Sequence, residues 1–144
     1  MPPSPDTMFQ VANPVALIGW LALALSPLAP RITQIVAARV IPLLLAVLYS
    51  GLILAHWFTA PGGFGSLAQV MALFTSPPVA LAGWVHYLAF DMLIGAWIAR
   101  TAARDGIAHL LVLPCLALTF LFGPIGFLAF TTLRALARRP TGAP

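Results

Sequence analysis

Two long stretches without a formal charge constrain the fold of this chain more than any other feature. The first covers the 51 residues between Arg39 and Asp91, and the second covers the 28 residues between Asp105 and Arg134. A helix that spans a membrane needs about 20 predominantly apolar residues. Only 7% of the chain is charged, whereas ordinary soluble domains carry roughly 25% charged residues. The chain is therefore predicted to be an integral membrane protein.

The apolar segments predict an all-α fold, in which four transmembrane helices form one bundled domain over residues 1–144. The spans are expected at about residues 9–27, 39–59, 78–99 and 107–131. Pro42 falls in the first turn of the second span, where its missing N–H costs little. The run Phe122–Gly126 predicts a break or sharp kink in the fourth span, because Pro124 removes a backbone hydrogen bond and clashes one turn back. Four crossings would place both termini on one side.

The loop between the second and third spans predicts a short amphipathic helix. Ser66 can cap this helix, with Gln69 at the spacing of a capping box. Leu67, Val70, Met71 and Phe74 then form one apolar stripe. Such a helix lies on the membrane surface, covers the mouth of the bundle, or serves only as an interfacial connector.

The basic residues are all arginines, and they lie at the ends of the apolar segments. Arginines at these positions are explained by membrane anchoring and topology, whereas nucleic-acid binding requires a basic face on a soluble surface. The predicted partners are therefore the lipid bilayer and an apolar ligand, not a nucleic acid. A homo-oligomer is left open.

Asp91 is the first candidate for a functional residue, because it falls near the middle of the third span. An Asp at this depth costs about 3 kcal/mol on translocon-insertion scales, so it should face the bundle interior and have a partner. Three roles are open for it. It is a hydrogen-bonded structural residue, a catalytic acid or base, or a counter-charge for a ligand or a histidine.

His56 and His86 are the second candidates, because the predicted topology places them in the same half of the membrane. Two histidines on adjacent helices at similar depth are a workable arrangement for a b-type haem or a metal ion. The alternative is that both are interfacial residues, since Trp57, Trp84 and Tyr87 mark the interface at this level. A pocket for a long apolar ligand is predicted around Gly83, Trp84, Tyr87 and Phe90.

Several sequence strings carry a resemblance to a known family. They are Phe64-Gly65-Ser66-Leu67, Gly83-Trp84-Val85-His86-Tyr87-Leu88-Ala89-Phe90-Asp91, and Thr119-Phe120-Leu121-Phe122-Gly123-Pro124-Ile125-Gly126, together with Gly95, Arg100, His109 and Pro114. The set resembles the small membrane proteins related to the plant abscisic-acid-deficient-four protein, which is needed for neoxanthin formation from violaxanthin. The likeness covers roughly residues 9–130.

This resemblance implies a role in carotenoid or related isoprenoid metabolism. The leading hypothesis is an enzyme of the oxygenase or isomerase type that binds and modifies a carotenoid-like polyene by oxidative cleavage, epoxide opening or isomerisation. His86 and Asp91 would act near the ligand, and His56 would complete the site, with or without haem. The alternatives are a non-catalytic carotenoid or haem carrier and a small transporter or assembly subunit. The short chain without lysine suggests a bacterial source and the inner membrane.

Overall fold

The computed structural model describes residues 3–137, in which every regular element is a helix. The elements in chain order are α1 (Pro5–Ala24), α2 (Pro30–Ile35), a π-helical turn (Val36–Val40), α3 (Ile41–His56), a 3-10 turn (Trp57–Thr59), α4 (Leu67–Leu73), α5 (Pro77–Arg104), α6 (His109–Phe122) and α7 (Pro124–Ala137). Three helical segments are long and apolar enough to cross a membrane, namely Pro5–Ala24, Pro30–Thr59 and Pro77–Arg104. The chain is thus a helical membrane protein with three candidate spans, and the predicted count of four is wrong.

The second span begins earlier than the sequence predicts. It starts at Pro30 rather than at Arg39, so Pro42 lies inside the continuous helical segment and not in its first turn. The proline ring would clash with the carbonyl of the residue one turn back. The π-helical turn at Val36–Val40 ends two residues before the proline, and such local widening lets a helix accept a proline without ending.

Helix α5 is the central helix of the bundle, because it packs against α1, α3, α6 and α7. Small residues permit the close approach of these helices. Gly19 of α1 lies directly against Met92, and Gly95 of α5 lies directly against Trp20 and Leu23, with no room for a Cβ at either glycine. Residues of α5 are therefore held in fixed positions relative to the helices around them.

Helices α6 and α7 form a hairpin that turns back at Gly123. Gly123 has φ +48°, a left-handed conformation that favours glycine, and it separates the end of α6 at Phe122 from the start of α7 at Pro124. Nε of Arg134 in α7 pairs with Oδ2 of Asp105, which precedes α6, at 2.5 Å. A straight helix between these two residues would separate them by about 40 Å at 1.5 Å per residue. The chain must therefore reverse direction between them.

Two further contacts fix the return of α7 along the bundle. Gly126 packs against Thr119 of α6 so closely that a Cβ would not fit, and the Trp97 ring of α5 lies 5.5 Å from the rings of both Phe127 and Phe130. Each helix of the hairpin has 14 residues, or about 21 Å, whereas the apolar core of a bilayer is about 30 Å thick. The predicted break at Gly123-Pro124 is present, but it ends the crossing instead of bending it.

The hairpin also changes the expected placement of the chain ends. Helix α1 begins at the end of the bundle where α5 begins, since Phe9 of α1 packs against Trp84 near the start of α5. The Arg134–Asp105 pair places the described end of α7 at the opposite end of the bundle. The predicted common side of the membrane for both termini assumed four crossings, and it stays a prediction. Residues 138–144 lie outside the described part.

The predicted short helix between the second and third spans is present as α4. Oγ of Ser66 accepts a hydrogen bond from the backbone N–H of Gln69 at 3.3 Å, which confirms the predicted cap. Leu73 is the buried residue of α4. Leu67 and Met71 of the predicted stripe are 76% and 65% exposed, so this part of the stripe faces outward, as expected of a helix on a membrane surface.

Candidate functional site

Asp91 lies at the tip of the α6–α7 hairpin. It occupies the middle of α5, and its carboxylate touches Gly123 so closely that a side chain at position 123 would collide with it. The predicted interior position of this carboxylate is therefore found, and its neighbour is the turn of the hairpin. The nearest positive charge is partial, because Asp91 faces the start of α7, where a helix carries the positive end of its dipole.

One oxygen of the Asp91 carboxyl group is left without a hydrogen-bond partner. Oδ2 is fully buried, and no donor in residues 3–137 bonds to it. A buried polar atom without a partner costs about 1–3 kcal/mol or more, and such a group in a native fold calls for an explanation.

Tyr87 lies one helical turn before Asp91 and connects it to the hairpin. The Tyr87 hydroxyl donates to the backbone carbonyl of Phe120 at 3.1 Å. In a continuing helix this carbonyl would accept from residue 124, but Pro124 has no N–H to donate. The hydroxyl supplies the missing donor, and Tyr87 lies on the same face of α5 as Asp91, four residues away.

An apolar cavity of about 400 Å³ opens beside Tyr87, between α1, α5 and α6. It is lined by Asn13, Pro14, Ala16, Leu17, Trp84, Tyr87, Leu88, Phe120 and Leu121. Its polar groups are few and lie close together, since Nε1 of Trp84 donates to Oδ1 of Asn13 at 2.9 Å. We refer to it as the aromatic cavity.

Asn13 is a site residue that the sequence reasoning missed. It is the one asparagine of the chain and interrupts the apolar first span directly before Pro14. That isolated amide in a membrane segment was the available signal, because polar side chains there tend to bond across helices.

A smaller cavity of about 220 Å³ lies at the hairpin tip. Asp91, Ile94, Gly123, Pro124 and Phe127 line it. Tyr87 borders the aromatic cavity, and Asp91, one turn further along α5, borders the smaller one. The two cavities are thus linked through a pair of groups that can each gain or lose a proton.

The other predicted site residues do not join this arrangement. The His86 ring stacks on Phe90 at 4.5 Å and packs against Tyr49 of α3 at 5.6 Å. His86 and Asp91 are five residues apart, which turns their side chains about 140° from each other around α5. Gly83 contacts Phe74, at the end of α4, rather than the aromatic cavity. Of the predicted pocket residues, Trp84 and Tyr87 line the cavity, whereas Gly83 and Phe90 do not.

The two histidines of the predicted haem site lie at different levels. Tyr49 of α3 is the residue opposite His86, and His56 follows Tyr49 by seven residues, or about 10 Å along the helix. Residues 3–137 also contain no cluster of three metal-ligating His, Cys, Asp or Glu side chains. The haem shared by His56 and His86 stays a prediction, and the site described above does not depend on it.

The fold and this site define a class of protein: a small helical membrane protein in which a broken helix brings irregular backbone to a carboxylate in the middle of a candidate span. Backbone of this kind occurs at membrane depth where protein or a cavity covers it. The sequence matches the ABA DEFICIENT 4-like (ABA4-like) family over residues 7–130. The chain belongs to this family, which confirms the resemblance and indicates a membrane protein related to carotenoids. Comparison with curated proteins gives no match, and comparison with solved structures gives none.

Proposed function

We propose that this chain is a membrane enzyme that isomerises or opens an epoxide on a carotenoid-like polyene, with Asp91 and Tyr87 as its proton-transferring residues. The observation that carries the proposal is the buried, unpartnered Oδ2 of Asp91 at the hairpin tip, next to a tyrosine that borders an apolar cavity. The family adds the substrate class, because the ABA4-like family is related to carotenoids.

The aromatic cavity suits one end group of such a ligand. Its volume of about 400 Å³ lies within the 300–1,000 Å³ range of pockets that hold a drug-sized group. A whole carotenoid is much larger, so its polyene chain would extend along the lipid-facing surface of the bundle. The end group carries the reactive oxygen, and Trp84 and Phe120 give it flat apolar walls.

The chemistry needs no redox partner if the reaction is an isomerisation. A proton is delivered to the epoxide oxygen, one C–O bond breaks to give a hydroxyl group, and a proton leaves a neighbouring carbon to form the new double bond. The proton count is unchanged. The protonated Asp91 would supply the first proton through the Tyr87 hydroxyl, and the resulting carboxylate would take back the second.

Oxidative cleavage is the less supported form of the proposal. It would require a redox centre, and His86 packs against Tyr49 and Phe90 on a face of α5 that does not reach Asp91. Asp91 and Tyr87 together supply what acid–base chemistry requires. We therefore assign the reaction to the isomerase type rather than the oxygenase type.

The test uses the purified full chain in detergent, an epoxy carotenoid such as violaxanthin, and product analysis by chromatography and mass spectrometry. Asp91→Asn keeps the shape of the side chain and removes the acid, so we expect turnover to fall at least about 100-fold, the usual scale for a general acid or base. Tyr87→Phe should lower turnover about tenfold or more. Asp6→Asn is the matched control, because Asp6 is an exposed carboxylate at the start of α1.

Binding is measured on the same variants by the visible absorption of co-purified or added carotenoid. Substrate should remain bound to Asp91→Asn within about threefold, and the product should have the mass of the substrate. Full activity in Asp91→Asn would overturn the assignment of this residue. Stoichiometric binding without turnover by the wild-type chain would identify a carrier instead of an enzyme.

A further inference from the structure

The end of the bundle opposite Asn13 carries a concentration of arginines that the proposed function does not use. Arg39 follows α2, while Arg100 and Arg104 lie in the last turns of α5. These three side chains line one cavity of about 500 Å³, together with Gln34 and Ala38. We call this cavity the arginine cavity. Guanidinium groups from two separate helical segments therefore converge on one space.

A hydrogen-bond network holds part of this arrangement in place. Nη1 of Arg100 donates to Oε1 of Gln34 at 3.0 Å, and Nε2 of Gln34 donates to the backbone carbonyl of Ala96 at 3.3 Å. An arginine that served only to mark the end of a span would extend its head group outward to the lipid surface. The Arg100 side chain is exposed, and this bond ties its guanidinium group to an uncharged amide of α2 rather than to a carboxylate.

The charge balance of this end is strongly positive. Asp105 pairs with Arg134, and Asp105 is not among the residues that line the arginine cavity. Among the described residues that line the cavity, three are arginines and none is a carboxylate. Guanidinium groups bind phosphate oxygens through paired, charge-assisted hydrogen bonds.

An apolar space adjoins the arginine cavity. A second cavity of about 540 Å³ shares Gln34, Arg100 and Arg104 with it and is completed by His109 and a mainly apolar wall that includes Pro27 and Ile107. Nε2 of His109 is already bonded to the carbonyl of Ala24 at 2.8 Å, so this histidine positions the end of α1. A molecule that fills both spaces needs an anionic head and an apolar chain.

We infer that this end of the bundle binds the phosphate head group of an anionic membrane lipid, with the head in the arginine cavity and part of an acyl chain in the adjoining apolar space. The site is separate from the aromatic cavity and from Asp91. If this site does not bind lipid, the proposed reaction is unaffected. If the proposed reaction is wrong, the lipid-binding inference is unaffected.

The test measures lipid binding to the full-length protein in neutral detergent by native mass spectrometry. The probes are short-chain phosphatidic acid, a fatty acid that carries negative charge without phosphate, and inorganic phosphate. We expect phosphatidic acid to bind at least about tenfold more tightly than the fatty acid, and inorganic phosphate at equal concentration to leave it bound. Equal binding of the two amphiphiles would overturn the phosphate assignment, and displacement by inorganic phosphate would overturn the lipid assignment.

Charge-matched variants separate a specific site from general surface attraction. Arg39→Gln and Arg104→Gln each remove a cavity arginine and should weaken phosphatidic acid binding about tenfold or more. Arg31→Gln removes the same charge at the same end of the bundle, but Arg31 does not line the arginine cavity, so we expect less than about fivefold. Arg104→Lys should also weaken binding, because lysine keeps the charge and loses the paired geometry. Equal effects of all three glutamine variants would overturn the inference.

Discussion

Replacing Gly123 with alanine tests the hairpin tip at the point where backbone and carboxylate meet. A Cβ at position 123 would lie 2.7 Å from Oδ1 and 3.0 Å from Oδ2 of Asp91, and the residue would have to keep φ +48°. A side chain in such a backbone conformation costs about 1–3 kcal/mol, and overpacking costs about 1–3 kcal/mol more. We therefore expect Gly123→Ala to lower the free energy of unfolding by about 2–6 kcal/mol.

Two other glycines separate these contributions. Gly106 has φ +69° but open space around it, so Gly106→Ala should show the backbone cost alone, about 1–2 kcal/mol. Gly51 also has open space and lies in regular helix, so Gly51→Ala should leave the stability unchanged or raise it by up to about 1 kcal/mol.

The assay is unfolding of the purified proteins in mild detergent by added dodecyl sulfate, followed by circular dichroism. From most to least stable, the expected order of the variants is Gly51→Ala, Gly106→Ala and Gly123→Ala. If Gly123→Ala loses no more than Gly106→Ala, the contact between Asp91 and the hairpin tip is refuted. If Gly123→Ala is as stable as the wild type, the turn itself is refuted.

Three further predictions follow from particular contacts. Leu73→Ala should destabilise the protein by about 2–5 kcal/mol because Leu73 is the buried residue of α4. Leu67 is exposed, so Leu67→Ala should change the stability by no more than about 0.5 kcal/mol. Equal effects in the same unfolding assay would contradict the packing of α4. His109→Ala should cost about 1–3 kcal/mol, because it leaves the Ala24 carbonyl without its partner; an unchanged unfolding curve would show that this bond does not hold the end of α1. The absorption spectrum of the purified protein tests the haem prediction. A Soret band that is lost in both His56→Ala and His86→Ala would confirm a haem shared by the two histidines. We expect His56→Ala to leave the spectrum unchanged, because His86 lies opposite Tyr49 and not opposite His56.

Features that depend on neighbouring residues in the chain were predictable from the sequence. The Ser66 cap was found because a capping hydrogen bond joins residues three apart. The break at Gly123-Pro124 was found because proline lacks an N–H wherever it occurs. Asp91 was singled out because a carboxylate in a membrane span is costly in any fold.

Features that depend on distant residues were not predictable in the same way. A break in a helix does not specify the direction of the next segment. The return of α7 depends on the Arg134–Asp105 pair and on the packing of Gly126 against Thr119. The sequence was therefore compatible with both a kinked fourth span and a folded-back hairpin. The length of the apolar segment favoured the fourth span, whereas the structure contains the hairpin.

The candidate site shows the same division. Of the predicted ligand pocket around Gly83, Trp84, Tyr87 and Phe90, Trp84 and Tyr87 line the aromatic cavity. Whether His56 faces His86 depends on the register between α3 and α5, which no pattern in the sequence gives. In the structure His86 faces Tyr49, which lies about two helical turns before His56. The cross-helix bond from Trp84 to Asn13 joins residues of α5 and α1, and no pattern within a single helix indicates it.

The reversal of the chain at Gly123 is the central claim, because it brings the hairpin tip to Asp91. The most direct test is a distance between spin labels on cysteines introduced at Ala108 and Ala135, both exposed, in a Cys115→Ser background. A hairpin with packed helices predicts a distance below about 20 Å, given interaxial spacings of 8–10 Å and the length of the labels. A distance near 40 Å, the length of a continuous helix between these positions, would contradict the account and restore the uninterrupted fourth span.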